Sequence, residues 1–522
     1  MKPLAILAAL CACAISLAQF TSSNVTQSAW LSNAALAGGD GNDCWGYVSP
    51  SGREYALMGQ VDQMTVVEVT NPAAPVIIQA FPHLTSTWSD IKVYRDHAYV
   101  VTEAAGSGIM VINLSQVDQG IVTLVRTIAS PGSSHNIHID ETSGFLYTCG
   151  SRTGTGTTMC FDLSNPGNPV RVGANSLTTN YMHDVQVNTF TSGPYAGRQI
   201  LYGFSESRGV DLYDVTNKSV PVFLARATYT NIGYCHQGWL SADRKYLFVD
   251  DELDEQNFGG TTRSLVFNVE NINAPVLVGT FSSGLSSIDH NQYWDDGFLF
   301  QANYRSGLRI FDAKNPTAPV QVGNYDTYPS SNSAQFSGAW STYPFFPSGT
   351  VIVSDINRGL FVLNASAALT RTEAATTFQL VTGALGGGSL SSLTAVDSNV
   401  ISVRFPKSVS PLRKSAEALM KFKTFDTEPQ NFTIDLQSGA QGGSALETVS
   451  LLNVQTKRYE VINTRNLGEG ESLASMPVTV LPKRFVNQTT NEVTAKVKWT
   501  MSTTGRGLPA VRVNQFRARV LR

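Results

Sequence analysis

Four histidines recur at one position of a long internal repeat, each close to carboxylate or amide side chains. They are His135 in SHNIHID, His183 in MHDVQV, His236 in CHQGWLS and His290 in DHNQYWD. Neutral histidines and carboxylates are common ligands of divalent metal ions, and both groups transfer protons in catalysis. The repetition therefore predicts that the fold gathers these four side chains at one site.

The repeat that carries the histidines has a period of roughly 50 residues, which is typical of a β-propeller blade. Three more copies align Cys44, Ser89 and Gly338 with the histidine position, so seven segments lie between Cys44 and Gly338. Each segment is followed by further strand-like runs separated by turn signals. We expect an all-β protein with a seven-bladed β-propeller in which the repeated segment lines a central channel. An array of β-sandwiches, the alternative, would not keep one polar motif in one register.

Counting along the repeat places carboxylates at the same mouth of the channel as the histidines. His236 lies across a hairpin from Asp251 and Glu252, and Asp184 directly follows His183. The four histidines are candidate ligands of a divalent metal ion, with Asp184 or Glu252 as a general base. The alternative is structural, since buried polar residues at one register also tie neighbouring blades together through backbone hydrogen bonds.

Arginines form a second repeated feature, in the hairpins that join the second and third strands. Each stands one or two residues before a glycine, as in SRTG, SRG, YRSG and NRG. Guanidinium groups that converge on a channel mouth bind carboxylates, sulfates or phosphates through paired hydrogen bonds. We therefore predict an anionic ligand, such as an acidic sugar. The candidate binding residues are Arg152, Arg208, Arg305, Arg358, Asp90 and Asn291.

The chain divides into four regions by composition. Its start combines one lysine, an apolar stretch and small residues up to Ala18, which predicts a secretory signal peptide. A lipoprotein signal with Cys13 as the lipidated residue is the alternative. A Gly- and Ser-rich stretch and then short alternating runs follow the repeats. The predicted regions are a signal peptide (1–18), the propeller (19–364), a connector (365–395) and a C-terminal β-sandwich (396–522).

The ends of the propeller repeat predict how its ring of strands closes. The last segment lacks a fourth strand, whereas Asn24–Leu36 is a strand-like stretch outside the seven segments. We expect Asn24–Leu36 to complete the last blade, because that pairing leaves no open sheet edge.

Composition and cysteine positions narrow the function further. The net charge of the chain is −3 and no basic run occurs, so nucleic acid is not an expected partner. No GxSxG, Walker-type or CxxC motif follows the signal peptide, which disfavours acyl transfer, nucleotide hydrolysis and dithiol chemistry. Cys149 and Cys160 are expected to form a disulfide across a hairpin, and Cys44 and Cys235 to remain free buried thiols.

The repeated segments also resemble a known family. GNDCWGYVSPSGREYALMG, GYCHQGWLSADRKYLFVDDELDEQNFG and SAQFSGAWSTYPFFPSGTVIVSDINRGLFVL are similar to the choice-of-anchor B family of secreted bacterial proteins, which are built from LVIVD repeats. The resemblance covers about residues 24–364. It implies a propeller that is exported and held at the cell surface, and it implies no particular activity.

These observations predict an exported, secreted or cell-surface binding and scaffold protein with an anionic ligand at the channel mouth. The alternative is a metal-dependent extracytoplasmic enzyme of the hydrolase, lyase or oxidase type that uses the histidines. The expected partners are a small anionic or carbohydrate ligand or a component of the cell envelope. We expect no transmembrane segment in the mature chain.

Overall fold

The chain forms two compact units, each built from antiparallel strands. The computed structural model describes residues 20–151, 158–174, 176–394, 396–406, 414–425, 427–504 and 509–521. The expected signal peptide and Arg152 lie outside the described residues. The first unit extends to residue 363 except for residues 294–298 and 344–351, which belong with residues 364–522 to the second.

The first unit contains four-stranded sheets, because each copy of the repeat supplies four strands separated by turns. The described chain begins with β1 (Ser22–Ser23) and β2 (Thr26–Leu31). Sheet 1 contains β3 (Gly41–Val48), β4 (Glu54–Gln60), β5 (Gln63–Glu68) and β6 (Val76–Pro82). Sheet 2 contains β7 (Ser89–Tyr94), β8 (His97–Thr102), β9 (Ile109–Gln116) and β10 (Ile121–Ile128).

The next three sheets repeat this arrangement, and the second strand of each is an apolar run covered on both faces. Sheet 3 contains β11 (Asn136–Asp140), β12 (Phe145–Cys149), β13 (Met159–Asp162) and β14 (Val170–Val172). Sheet 4 contains β15 (Asp184–Thr189), β16 (Gln199–Phe204), β17 (Val210–Asp214) and β18 (Val222–Ala227). Sheet 5 contains β19 (Cys235–Leu240), β20 (Tyr246–Asp251), β21 (Ser264–Asn268) and β22 (Val276–Phe281), with the short helix α1 (Asp254–Phe258) after β20.

The last two sheets of the repeat include the N-terminal strands. Sheet 6 contains β23 (Gln292–Asp295), β24 (Phe298–Ala302), β25 (Leu308–Asp312) and β26 (Val320–Tyr325), and β1 pairs with β26 as a fifth strand. Sheet 7 contains β27 (Ala339–Tyr343), β28 (Thr350–Asp355) and β29 (Gly359–Asn364), and β2 is its fourth strand. The prediction that Asn24–Leu36 completes the last sheet is confirmed. Trp30 on β2 stacks on Phe361 of β29 with their ring centroids 5.7 Å apart. The ring of Phe20 packs against both, at 5.8 Å from Trp30 and 5.4 Å from Phe361, which reinforces the pairing.

Buried polar side chains tie the first strands of neighbouring sheets together. A carboxylate of Asp43 accepts a hydrogen bond from the backbone N–H of Ile91 at 3.2 Å, and Asp90 accepts one from Ile137 at 2.7 Å. Gln237 makes the same kind of contact from sheet 5 to sheet 6, where its side-chain oxygen accepts from the backbone of Gln292 at 3.0 Å. These contacts satisfy backbone groups that face the centre of the unit. The structural role that the sequence suggested for a repeated polar position is filled by these residues, and also by His183 and His290, whose Nδ1 atoms contact backbone carbonyl oxygens of the next sheet.

The four cysteines of the described chain are all free and buried. The predicted disulfide between Cys149 and Cys160 is therefore wrong. The register of β12 and β13 places Cys160 opposite Tyr147, two residues short of Cys149. Cys149 instead lies near Asp184 of the next sheet, with its sulfur 3.8 Å from a carboxylate oxygen. The expectation of free buried thiols at Cys44 and Cys235 agrees with the structure.

The second unit contains two antiparallel sheets that share one hydrophobic core. Trp499 lies fully buried in this core and donates a hydrogen bond from Nε1 to Glu447 at 2.9 Å. Sheet 8 contains β30 (Thr370–Ala374), β32 (Ala384–Gly387), β33 (Ile401–Arg404), β35 (Asn431–Gln441), β38 (Ser472–Val478) and β40 (Ala510–Leu521). Sheet 9 contains β31 (Thr377–Thr382), β34 (Ser415–Lys423), β36 (Gly443–Asn453), β37 (Arg458–Leu467) and β39 (Glu492–Thr504).

Residues 365–395 are not the connector that their composition predicted. They hold β30, β31 and β32, which pair with β40, β34 and β33 respectively. The run TFQLVT alternates polar and apolar residues and forms β31, while the glycines that suggested a linker cluster at the end of β32. Gly388 has a φ of +86°, and a Cβ there would lie 2.3 Å from the carbonyl oxygen of Val400. Glycine therefore serves a close backbone approach at this position.

No helix among the described residues has both the length and the apolar character needed to cross a membrane.

Candidate functional site

The first unit contains a cavity of about 720 Å³ at the end of its sheets where the histidines lie. His135, His183, His236 and His290 all line it, as the sequence predicted. Cys44, which the sequence aligned with them, does not belong to the lining. Asp40 and Gly41 line the cavity in its place.

The four histidine rings form a continuous row across sheets 3 to 6. Successive ring centroids are 4.1 Å apart between His135 and His183, 4.3 Å between His183 and His236, and 4.2 Å between His236 and His290. All four residues are buried in the protein, with at most 7% of their surface exposed. One register of the repeat therefore places four imidazoles side by side, facing the same cavity.

Each ring in the row uses its Nδ1 atom to bind an acceptor of the protein. His135 contacts a Glu103 carboxylate oxygen at 2.6 Å, and His236 contacts Asp250 at 3.3 Å. His183 and His290 contact backbone carbonyl oxygens, those of His236 at 3.2 Å and Trp340 at 2.6 Å. An acceptor at Nδ1 places the proton of a neutral ring there, so the lone pair lies on Nε2. The same second contact is usual for histidines that bind metal ions.

Burial keeps the rings of His183, His236 and His290 neutral by lowering their pKa. It lowers the pKa of His183 and His236 well below the usual value, and the neighbouring histidines lower both further. Burial also lowers the pKa of His290 to about 3, although the hydrogen bond to the Trp340 carbonyl opposes this shift. These three imidazoles therefore offer a free lone pair at neutral pH.

Glutamates at a second repeated register also line the cavity. Glu103, Glu206 and Glu252 each stand one or two residues after the second strand of their sheet, and each contacts a residue just before the first strand of the next sheet. Glu103 contacts His135, and Glu206 accepts a hydrogen bond from the Tyr234 hydroxyl at 3.1 Å. The cavity thus combines neutral imidazoles with carboxylates.

His236, Glu252 and His290 form the tightest group in the cavity. One ligand atom of each lies within 4.8 Å of the others, and Glu252 Oε1 is 3.6 Å from His290 Nε2. The Tyr304 hydroxyl donates to the same Glu252 oxygen at 2.9 Å and packs its ring on His290 at 4.5 Å. Burial raises the pKa of Glu252 to about 7, while this hydrogen bond lowers it. The arrangement suits a cation or a transferred proton.

The arginines do not converge on the cavity. Among the described residues that line it there is no lysine or arginine. Arg208 is exposed. The guanidinium groups of Arg305 and Arg358 both lie over the Tyr328 ring, 5.1 and 5.2 Å from its centroid. Arg305 also donates to the Ser333 hydroxyl at 2.7 Å. The prediction of an anionic ligand held by these arginines therefore loses its structural basis, and Arg152 lies outside the described residues.

The other candidate residues lie beside the cavity. Asp90 forms an ion pair with Lys92, 2.5 Å from its Nζ, in addition to its contact with β11. Asp184 accepts a hydrogen bond from the backbone of Val185 at 2.6 Å, and burial raises the pKa of Asp184 to about 8. Asn291 donates to the carbonyl of Trp340 at 3.3 Å. None of the three belongs to the cavity lining, whereas Glu252, the other candidate for a general base, does.

The sequence analysis missed the aromatic part of the site. Trp88, Tyr181, Tyr234, Tyr304, Phe336 and Trp340 line the cavity. A signal was present for Tyr304, because it follows the second strand at the register that Glu103, Glu206 and Glu252 occupy in other sheets. Gly338, with a φ of +92°, allows Tyr304 to approach, because a Cβ at this position would lie 2.3 Å from the Tyr304 carbonyl oxygen.

Sheet order and contacts define the class of the protein. Within each sheet of the first unit the strands pair in chain order, except that β2 completes sheet 7 and β1 is added to sheet 6. The first strands of sheets 7, 1, 2, 3, 4 and 5 contact one another in turn. The first unit is a β-propeller within an all-β protein. Residues 296–327 match the LVIVD repeat model, so the chain carries an LVIVD repeat.

Comparisons with whole proteins give distant likenesses. No curated protein matches the chain. The C-terminal WD40 domain of Sif2 is 9% identical with a TM-score of 0.40, covering 62% of this chain and 81% of that one. A protein of unknown function from Desulfotomaculum acetoxidans is 13% identical with a TM-score of 0.41, covering 57% and 88%. U3-55K is 7% identical with a TM-score of 0.42, covering 62% and 95%.

Proposed function

We propose that this protein is an exported binding protein whose propeller holds a divalent transition-metal ion in its cavity. The ligands are His236, His290 and Glu252. The propeller has seven blades, one for each four-stranded sheet from β3 to β29, and the second unit is a β-sandwich that serves as an accessory module. The convergence of three ligand atoms within 4.8 Å of one another carries this proposal.

The chemistry of the three side chains favours zinc. Two imidazoles and one carboxylate are a ligand set that zinc sites use when they keep a fourth position open. Asp250 and the Trp340 carbonyl fix the His236 and His290 rings through Nδ1, which leaves Nε2 of each for the ion. The cavity volume greatly exceeds that of one ion, so a small molecule has room to occupy the open position.

The remaining lining favours a neutral, hydroxyl-rich ligand such as a carbohydrate. Glu103 and Glu206 accept hydrogen bonds from hydroxyl groups and repel anions. Trp88 and Tyr234 add flat apolar surfaces beside them. An anionic group would have to depend on the metal ion for its attraction, because the described lining supplies no guanidinium or ammonium group.

Metal analysis tests the proposal. The full chain is stripped with a chelator, reloaded with Zn²⁺, and analysed for metal content and for affinity by calorimetry. We expect one Zn²⁺ per chain in the wild type and its loss in a His236→Ala, His290→Ala variant that remains folded.

His138→Ala provides the matched control. His138 is also a buried histidine that ties two sheets, since its Nε2 contacts the Val187 carbonyl at 3.1 Å, but it does not line the cavity. The His138→Ala variant should lose stability and keep its zinc. If the wild type binds no zinc and all these variants lose only stability, the histidines are structural ties and the proposal fails.

A metal-dependent enzyme is the second candidate, favoured by Glu252. A carboxyl group with a pKa of about 7 is suited to general acid–base catalysis near neutral pH. In that case the ion is held by the histidines, and Glu252→Gln removes turnover while zinc affinity persists. If Glu252 is a ligand instead, the same variant loses affinity. The zinc-loaded wild type and the Glu252→Gln variant are assayed for hydrolysis and elimination of neutral glycosides and esters.

Export is proposed from the N-terminal sequence MKPLAILAALCACAISLA. Its composition is that of a secretory signal, and the resemblance to the choice-of-anchor B family supports an extracytoplasmic, secreted or surface-held protein. Mass spectrometry of protein recovered outside the cytoplasm should give a chain that begins after Ala18. An intact N-terminus confined to the cytoplasm would contradict export.

A further inference from the structure

A second group of carboxylates comes from residues that are near Glu252 and His290 in the sequence but do not line the cavity. Asp254 and Glu255 begin α1, and Asp289 precedes β23. One oxygen atom of each lies within 4.8 Å of the others. Asp254 and Glu255 are 5% exposed, and Asp289 is fully buried. Three acidic groups are therefore gathered out of contact with bulk water.

Several oxygens in this group have no hydrogen-bond partner. They are Oδ1 of Asp254, Oδ1 of Asp289 and both carboxylate oxygens of Glu255. A buried carboxylate without a donor or a cation is costly, since its charge loses hydration and gains nothing in return. Glu255 shows this most clearly, because neither of its oxygens accepts a hydrogen bond from another residue and its neighbour is the Asp254 carboxyl.

The partners of the other oxygens orient the group. Arg263 donates from Nε to Oδ2 of Asp254 at 2.8 Å, and the Ser264 hydroxyl donates to Oδ2 of Asp289 at 2.7 Å. These contacts hold one oxygen of each carboxylate and leave Oδ1 free. Of the three carboxylates, Arg263 pairs only with that of Asp254, and its guanidinium also lies 3.7 Å from Asp251. The charge of the group is therefore not balanced by protein cations among the described residues.

We propose that Asp254, Glu255 and Asp289 bind a Ca²⁺ ion. All the available ligand atoms are carboxylate oxygens, which hard cations prefer, whereas zinc prefers nitrogen and sulfur donors. Ca²⁺ accepts irregular arrangements and bidentate carboxylates, while Mg²⁺ requires a near-ideal octahedron. The ion joins the start of α1 to the segment before β23. This site is independent of the proposed zinc site, because the two share no ligand.

A Ca²⁺ titration of the full chain tests the site. The chelator-treated protein is titrated with Ca²⁺, and separately with Mg²⁺, by calorimetry and by thermal unfolding. We expect saturating Ca²⁺ to raise the Tm by about 5 °C, because ligand binding to the folded state alone stabilises it. A Glu255→Gln, Asp289→Asn variant should lose this shift, and without Ca²⁺ it should melt no lower than the wild type, because its buried charge is reduced.

Two controls separate the possible results. Glu270→Gln removes an exposed acid that follows β21 and pairs with Lys245 at 2.8 Å, and this variant should keep the full Ca²⁺ shift. The His236→Ala, His290→Ala variant should also keep it, so a failure of the zinc site leaves the calcium site testable. Absence of both heat and a Tm shift in the wild type would overturn the proposal, even if the charge variant failed to fold. An equal shift with Mg²⁺ would overturn the assignment to Ca²⁺.

Discussion

The first strands of the propeller, with the residues just before them, carry two sets of buried polar groups with opposite properties. In one set, the Lys92 ammonium lies between Asp90 and Asp43, at 2.5 and 3.6 Å, and packs over the Trp45 ring at 4.4 Å. Both carboxylates also accept backbone hydrogen bonds from the next sheet. Their charges and hydrogen bonds are directed at the protein itself.

The histidine row differs because each ring is held by the protein on one side only. Nδ1 of His236 contacts Asp250 and Nδ1 of His290 contacts a backbone carbonyl, while the rings border an open cavity. Burial alone does not distinguish the two sets. The direction of the unused atoms does, and it separates groups that stabilise the fold from groups available to a ligand.

Removing Lys92, the cation between Asp43 and Asp90, should have the largest effect on stability. Lys92→Met leaves Asp43 and Asp90 without their buried counter-charge, and we expect the free energy of unfolding to fall by about 4 kcal/mol. Chemical denaturation measures the loss, and zinc content of the folded fraction should not change. Lys245→Met, which removes an exposed pair with Glu270, is the control and should leave the unfolding midpoint where it is. A similar midpoint for both variants would show that the Lys92 cluster contributes little.

Loss of Asp250, which holds the His236 ring, should lower zinc affinity more than it lowers stability. Asp250 binds Nδ1 of His236 and the backbone N–H of Gln237 at 2.7 Å. Asp250→Ala should lower zinc affinity about 10-fold or more, because the imidazole loses the partner that orients it. Calorimetry on the folded variant gives the affinity. Unchanged affinity would mean that His236 is not a ligand.

A smaller effect is expected at Tyr304. Tyr304→Phe removes the hydroxyl that donates to Glu252 at 2.9 Å and retains the ring packed on His290. We expect zinc affinity to fall by about 5-fold, because one hydrogen bond that orients Glu252 contributes about 1 kcal/mol. Tyr325→Phe, which removes a hydroxyl contact with Gln27, should leave the affinity unaltered. Equal effects of the two variants would indicate a general change in stability.

The smallest effect concerns the arginines. Arg305→Ala and Arg358→Ala should leave zinc and carbohydrate binding unchanged, because both guanidinium groups pack on Tyr328 and do not line the cavity. The free energy of unfolding should fall by less than about 1 kcal/mol for each. Binding assays with neutral and acidic sugars check this. If the variants selectively lose binding of acidic sugars, the arginines do contribute to the ligand site.

The repeat made much of this arrangement predictable. Its period fixed the register of His135, His183, His236 and His290, and counting across one hairpin placed Glu252 beside His236. The closing strand was also predictable, since an unassigned strand at one end matched a missing strand at the other. Each of these inferences needs only the order of strands within a repeat.

Side-chain direction in the hairpins was not predictable in the same way. Tyr304 has a φ of +26° and points into the cavity, so the neighbouring Arg305 is directed towards Tyr328. Likewise, spacing alone did not reveal that Cys149 and Cys160 miss each other by two residues in register. Such features depend on local backbone geometry, which a repeat pattern does not specify.

The pairing of β2 with β29 has a consequence for the time course of folding. Residues 26–31 bind a partner that is made more than three hundred residues later, so this contact spans nearly the whole propeller. Until β29 has been synthesised and released, β2 has no partner and sheet 7 has an exposed edge. This sheet can therefore be completed only after the chain has been made as far as residue 364, so the strand that is synthesised early waits for the one that is synthesised last.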